Sequence, residues 1–341
     1  MAAVLYGKEQ VRMEHVAVPE IGKSDVLVRV RAALTCGTDV KVFRRGYHAK
    51  MITPPALFGH ELAGDIVAIG EHVEGFFPGQ RVVAANSAPC LKCFYCKKGL
   101  ENLCEDLLFN NGAYAEYIRI PARIVQRNMH VIPDHLDYRD AALIEPLACV
   151  LKGIEDVDIR PGDNVVVIGQ GPIGLMFVRM AKVYGARVIA LGRRSSQLEK
   201  AVRVGAHEAL LNSDNSDVIR QVKDLTGGYG ADIVLEAVGK PETWELAVKL
   251  LRKGGTVNFF GGCPADTRVQ LDTSLLHYSE ITCKASFHHT PYHIRKALEL
   301  VSRGDVDARH FINREEPLTN LLEVMRHLMS HNGHMKTAIL P

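Results

Sequence analysis

The chain of 341 residues has almost no excess of charge: 41 Lys and Arg stand against 39 Asp and Glu, a formal net charge of +2. That balance, with no basic run to interrupt it, leaves no electrostatic footprint for a nucleic acid or an anionic membrane, so neither is expected as a partner. Long apolar runs are missing as well. Val165-Val-Val-Ile168 is strand-length, far short of the roughly 20 residues that a membrane-spanning helix needs. The stretch from Met1 to Lys8 lacks a charged region followed by a long apolar core, so no secretory signal is read there and a cytoplasmic protein is expected. Internal repeats, low-complexity tracts and Pro/Ser linkers are absent too. What remains is ordinary globular material, with 47% hydrophobic and 23% charged residues, which excludes disorder and collagen. The length suggests two domains, large enough to bury their cores without disulfide staples.

Cysteine is not scarce, and its placement matters more than its number. Four of the eight lie within fifteen residues, at Cys90, Cys93, Cys96 and Cys104. Without a secretory signal, clustered cysteines read as metal ligands before disulfides. Four thiolates at this spacing close a tetrahedron around Zn²⁺ with no open position, which marks a structural site in a lobe of about residues 86–110. Lys92, Lys97 and Lys98 offset its negative charge. An iron–sulfur centre and disulfides are the alternatives.

Hydrophobic patterning changes along the chain. Before residue 145 the segments are short and alternating, as in Val26–Arg31, Gly64–Ile69 and Gln80–Ala84, which suggests a compact β-rich barrel or sandwich. After Arg160-Pro-Gly-Asp163, strands alternate with helices. The strands are Asn164–Ile168, Arg187–Leu191, Glu208–Leu211, Asp232–Glu236 and Thr256–Phe260. Helical patterns fall at Pro172–Tyr184, Ser196–Val204, Asp217–Leu225 and Glu242–Leu251. This alternation predicts a parallel sheet covered by helices on both faces. The tail carries helical segments at Tyr292–Arg303 and Leu318–Met329. It is too short to stand alone, so the sheet domain is read as an insertion into the first.

Gly169-Gln170-Gly171-Pro172-Ile173-Gly174 follows the first buried strand and opens a helix. In that context G-x-G-x-x-G reads as a dinucleotide site, with a merely structural turn as the alternative: a tight turn, close approach to a pyrophosphate, and a helix N-terminus facing the phosphates. The carboxylate that usually holds the adenosine ribose, roughly 20 residues on, is missing; the second strand ends Leu191-Gly192-Arg193-Arg194. Glycine makes room there, and two guanidinium groups suit a 2′-phosphate, which favours NADP over NAD. The alternative is a solvated basic turn.

A dispersed set remains: Cys36-Gly-Thr-Asp39, Gly59-His-Glu61 and Glu145-Pro-Leu-Ala148. Taken singly, Cys36 reads as core, His60 as a satisfied histidine and Glu145 as a helix start. Beside a cysteine lobe and a dinucleotide turn, they read as ligands of a catalytic zinc, which needs three protein donors and an exchangeable position.

In this order, over essentially the whole chain, the motifs resemble the zinc-dependent medium-chain dehydrogenases, and within them the polyol group that includes sorbitol (L-iditol 2-) dehydrogenase. The resemblance implies an α/β protein with a GroES-like β-rich catalytic domain (residues 1–149 and 284–341) and a doubly wound Rossmann domain (residues 150–283). By the same likeness Cys36 and His60 are catalytic zinc ligands and Glu145 the glutamate ligand. Glu61 matches a glutamate that is a direct ligand in some members and lies behind the ligands in others. Thr38 matches the hydroxyl that takes the substrate proton. Lys41 stands where many members have a histidine that passes this proton to solvent.

The reaction so implied is hydride transfer between a secondary alcohol and NAD(P), giving a ketone, with two zinc ions per chain and a homodimer or homotetramer. Other substrates of the superfamily, L-threonine or a sugar or aminocyclitol, remain open. So, more remotely, does a non-catalytic nucleotide-binding protein. Tyr47, His48 and Phe287–His289 are candidates for the substrate pocket by neighbourhood alone.

Overall fold

The computed structural model describes residues 1–48, 50–330 and 335–341. The chain divides into two compact units, one of Met1–Ala148 with His289–Pro341 and one of Cys149–His288. Among the described residues no helix is long and apolar enough to cross a membrane.

The first unit is built on a seven-stranded sheet with Val26–Leu34 near its middle. Leu62–Ile69 lies antiparallel on one side of it, followed by Arg81–Ala84 and Met129–Val131; Lys336–Leu340 and then Ile312–Pro317 lie on the other, and Tyr117–Ile120 also pairs with it. Alternate residues Val26, Val28 and Val30 point inward and are wholly or almost wholly buried, packing with Ile66, Val82, Tyr114 and Ile120. The period of two read from the sequence is this burial pattern. A three-stranded sheet of Gln10–Glu14, Ala2–Gly7 and Ala56–Leu57 adds to the same core.

Register brings distant chemistry together here. Ala33 pairs with Leu62, and the Leu34 N–H donates to the Glu61 carbonyl at 3.1 Å. Cys36, just beyond the end of one strand, is therefore set beside His60 and Glu61, just before the start of the next. The C-terminal strand lies on the other side, with Ala338 opposite Leu34, so Lys336 reaches the same corner. Neither the C-terminal strand nor the Ala2–Gly7 strand was expected from patterning. Five or six residues give little period to read, and what holds them is pairing with chain far away in sequence.

The second unit is a six-stranded sheet, all parallel, in the spatial order Glu208–Leu211, Arg187–Gly192, Asn164–Ile168, Ala231–Glu236, Leu251–Phe259, Thr282–Ala285. Its first three strands run outward in one direction and the next three in the other, the doubly wound order with its switch between Asn164–Ile168 and Ala231–Glu236. Val165, Val166 and Val167 are completely buried because helices cover both faces. One boundary differs from expectation. The helix Pro241–Lys249 stops early, and Leu251 already belongs to the strand, paired with Ala231 across a register shift. Gly254, at φ +70° within that strand, accommodates the irregularity that hid its start.

Candidate functional site

Thiolate, imidazole and carboxylate donors of Cys36, His60 and Glu61 lie within 4.8 Å of one another. Cys36 caps the helix Gly37–Arg45: its sulfur accepts from the Thr38 N–H at 3.4 Å, while Asp39 reaches back to the Cys36 N–H at 3.3 Å. Asp39 also stands 2.9 Å from His60 Nδ1 and accepts from the buried Tyr114 hydroxyl at 2.6 Å. With Nδ1–H donating to Asp39, the ring presents Nε2 as the free donor, the arrangement that orients a metal-binding histidine. Nothing in the sequence reading gave Asp39 this work, although its place three residues after Cys36 is the spacing of a reciprocal cap.

Charge at this corner is tightly compensated. The Lys336 Nζ donates to both Glu61 oxygens, at 2.7 and 2.6 Å, and to the Thr35 carbonyl at 3.0 Å, all buried. Burial works against the ammonium, but Glu61 and then Cys36 push Lys336 up. Burial also raises Cys36, yet the neighbouring His60, with help from Lys336, brings the thiol down to about 7. His60 is held well above its usual range, since Asp39 and Cys36 outweigh its burial. Glu145, in the first turn of the helix Ile144–Glu155, stands outside the three-donor set and has its carboxylate 3.6 Å from His289 Nε2. Burial pushes it up to about 7 against the pull of His60. Thr38 is half-buried on the first helical turn, and Lys41 is exposed one turn further on. Of the pocket candidates, His289 is buried and bonded to Asn86 at 3.1 Å. His48 accepts from the Lys50 and Met51 N–H groups at 3.2 Å, and Tyr47 is exposed. A thiol that ionises near neutrality, an imidazole with one nitrogen already fixed and carboxylates at hand form a donor set that fits Zn²⁺.

The four-cysteine lobe is made differently. All four sulfurs lie within 4.8 Å of one another, and none of them is in a disulfide. Cys93 Sγ is 3.9 Å from Cys104 Sγ. Thiolates 2.3 Å from a tetrahedral zinc stand about 3.8 Å apart, so this spacing fits the ion. Backbone N–H groups point at the sulfurs: Lys92 and Cys93 donate to Cys90 at 3.5 and 3.3 Å, and Cys90 donates to Cys104 at 3.2 Å. Led by Lys92, these bonds pull Cys90 down to about 6, while burial and then Cys93 push Cys96 up to about 12.

In the second unit a cavity of about 390 Å³ is lined by Gly169, Gln170, Gly171, Gly192, Arg193 and Arg194, among others. Pro172, at the first position of the helix Pro172–Val183, and Ile173 after it begin the element whose N-terminus points there. Gly174 is obligatory: a Cβ would sit 1.7 Å from the Gly169 carbonyl oxygen. At Gly171 a Cβ would meet nothing within 4 Å, so the turn leaves open room where a pyrophosphate meets backbone N–H groups. Gln170 fixes the turn by donating to the Val167 and Leu191 carbonyls, at 2.7 and 3.2 Å. Arg193 and Arg194 are exposed and form no ion pair among the described residues. The cradle fits a dinucleotide.

Two family models match, the alcohol dehydrogenase GroES-like domain over residues 22–134 and the zinc-binding dehydrogenase domain over residues 172–303. A sorbitol dehydrogenase of Bacillus subtilis is 30% identical over 100% of this chain and 97% of its own. The chain belongs to the zinc-binding dehydrogenases. It is an NAD(P)-dependent zinc enzyme of the medium-chain polyol group. An L-threonine 3-dehydrogenase of Bacillus licheniformis is 35% identical over 74% of this dehydrogenase and 73% of its own chain. A zinc-binding dehydrogenase of Sinorhizobium meliloti, solved bound to NADP, superposes with a TM-score of 0.90 at 30% identity, covering 100% of this dehydrogenase and 98% of that chain.

Proposed function

We propose that this dehydrogenase interconverts a secondary alcohol of the polyol type and its ketone, with Cys36, His60 and Glu145 as ligands of a catalytic zinc and Glu61 in contact with the same centre. When bound, zinc supplies the Lewis acidity that lowers the alcohol's pKa, and NAD(P) accepts the hydride. The chain's own residues do the rest. Asp39 holds the His60 ring so that Nε2 faces the Cys36 sulfur, and this pairing is the observation that carries the reading. The Thr38 hydroxyl takes the alcohol proton and passes it on, and Lys41, in solvent one helical turn along, stands where the proton is released. Lys336 keeps Glu61 from standing as an uncompensated buried charge when the site reorganises around substrate. The Cys90–Cys104 lobe takes a second, structural zinc, so two ions per chain are expected.

For the cofactor, NADP is our reading. Gly192 leaves room at the ribose end, and Arg193 and Arg194 offer two unpaired guanidinium forks for a 2′-phosphate. The enzyme is assigned to the cytoplasm as a homodimer or homotetramer.

A screen of polyols, sugars, cyclitols and L-threonine against NAD and NADP, following formation of the reduced nicotinamide, tests both choices. Turnover confined to polyols with NADP supports the reading. Turnover confined to L-threonine gives the second reading, which the relative from B. licheniformis favours. Arg193→Ala with Arg194→Ala is expected to weaken NADP about tenfold or more, the loss of one charge-assisted bond of about 1.5–3 kcal/mol, while NAD changes little. Equal weakening of both removes the NADP assignment.

A further inference from the structure

The first unit contains another cavity, of about 420 Å³, that shares no residue with either cysteine cluster or with the nucleotide cradle. Arg127, in the last turn of the helix Ala122–Asn128, lines it together with His130 of the strand Met129–Val131 and Arg295 of the helix Pro291–Ser302. Ser24, His72 and Glu74 contribute from loops. Two of its polar side chains carry an unanswered atom, whereas His72 lies 3.4 Å from Glu71. Arg127 Nε and His130 Nε2 are buried and have no hydrogen-bond partner. Among the described residues neither Arg127 nor Arg295 forms an ion pair. Glu74 is the one carboxylate in the lining, and it is exposed. Burial, and then the charge of Arg295, push His130 down to about 4, so its ring is neutral at ordinary pH and feels the guanidinium beside it.

This arrangement is unfavourable as it stands. A buried donor without an acceptor costs about 1–3 kcal/mol, and more when it is charged. Two guanidinium groups, Arg127 and Arg295, face one cavity whose lining offers only the exposed Glu74 as counter-charge. A phosphate group answers the excess positive charge, because a guanidinium presents a fork that matches two phosphate oxygens and the neutral imidazole of His130 is a further donor in the same lining. The volume lies in the range of small-molecule pockets rather than of a lone ion site.

We propose that this cavity binds a phosphate group held by Arg127, Arg295 and His130, carried on a small polar phosphomonoester or free in solution. The site is separate from the reaction and does not depend on the substrate assigned above.

The test is calorimetric titration of the zinc-loaded full chain carrying Arg193→Ala and Arg194→Ala, so that the nucleotide cradle does not compete. Glycerol 3-phosphate, inorganic phosphate and glycerol are titrated at constant ionic strength. Saturable binding of a phosphate-bearing probe is expected, with none of glycerol, and Arg127→Gln or Arg295→Gln should weaken it at least tenfold. Tighter binding of glycerol 3-phosphate assigns the site to a phosphomonoester, and equal or tighter binding of inorganic phosphate assigns it to the free ion. No saturable binding, or binding that neither variant alters, overturns the proposal. Arg295 is exposed on its helix, so Arg295→Gln serves if Arg127→Gln fails to fold.

Discussion

The two cysteine-bearing clusters of the first unit reach donor sets of similar size by opposite routes. The lobe draws all four sulfurs from Cys90–Cys104 and holds them with backbone N–H groups of the same short segment. The other set takes Cys36 and His60 from two strand ends and is fixed by Asp39, Tyr114 and Lys336. One is a local device, exposed over most of its length. The other exists only once the sheet has formed, and its charges are buried. A local cluster can secure a segment, whereas a dispersed one can leave a coordination position open to substrate. The contrast sorts what each should do when it is broken.

The largest effect is expected at the dispersed set. Cys36→Ala or His60→Ala should lower turnover by about a thousandfold or more, since Lewis-acid stabilisation is worth several kcal/mol. Metal analysis should find one zinc lost and the lobe's zinc kept, with the melting curve still cooperative. Turnover that survives removal of all metal would show that this corner is not catalytic.

Next comes Lys336→Met. It strands Glu61 as a buried carboxylate, and breaking a buried pair in this way costs about 3–5 kcal/mol. Denaturant unfolding should show that loss, and Lys336→Met combined with Glu61→Gln should recover much of it. If the double variant is no better than the single, the pair is not the main support of this corner.

Lys336 also shows where sequence reading stops. Its pairing with Glu61 spans 275 residues, and no periodicity or spacing points from one to the other. Cys90, Cys93, Cys96 and Cys104 announce themselves because their geometry is local, and so does Gly169–Gly174, whose tight turn is written in consecutive residues. The parallel sheet was legible because fully buried strands are unbroken runs such as Val165–Ile168. Cys36 and His60 could be named as candidates from the motifs around them. Asp39, which aims His60, and Tyr114, which braces Asp39, could not, because an aspartate three residues after a cysteine reads first as a helix cap. Glu145 could be matched to a ligand by resemblance, but its burial beside His289 comes only from the folded chain.

Smaller again is the expected effect of Cys93→Ser. Loss of the lobe's zinc should release one short segment rather than the unit's core, so the melting temperature should fall by a few degrees, at about 2–4 °C per kcal/mol for a unit of this size. Limited proteolysis should cut within residues 86–110 first, while zinc at Cys36 and His60 persists. Loss of both ions together would mean that the two clusters are one cooperative structure, and the contrast drawn above would fail.

The finest distinction is between two histidines of the same unit. His60 is raised well above its usual range because Asp39 and Cys36 outweigh its burial, whereas burial and then Arg295 lower His130 from 6.5 to about 4. The fold therefore accommodates only neutral His130, while the unfolded chain takes up a proton below 6.5. The stability contributed by His130 is complete above pH 6.5 and is lost as the pH falls through about 4. Between pH 7 and 4.5 that amounts to about 2 kcal/mol. His130→Gln, which cannot titrate, should lose correspondingly less stability over the same interval when urea unfolding is measured at both pH values. A parallel loss in the two proteins would mean that His130 takes up its proton in the fold as readily as in the unfolded chain.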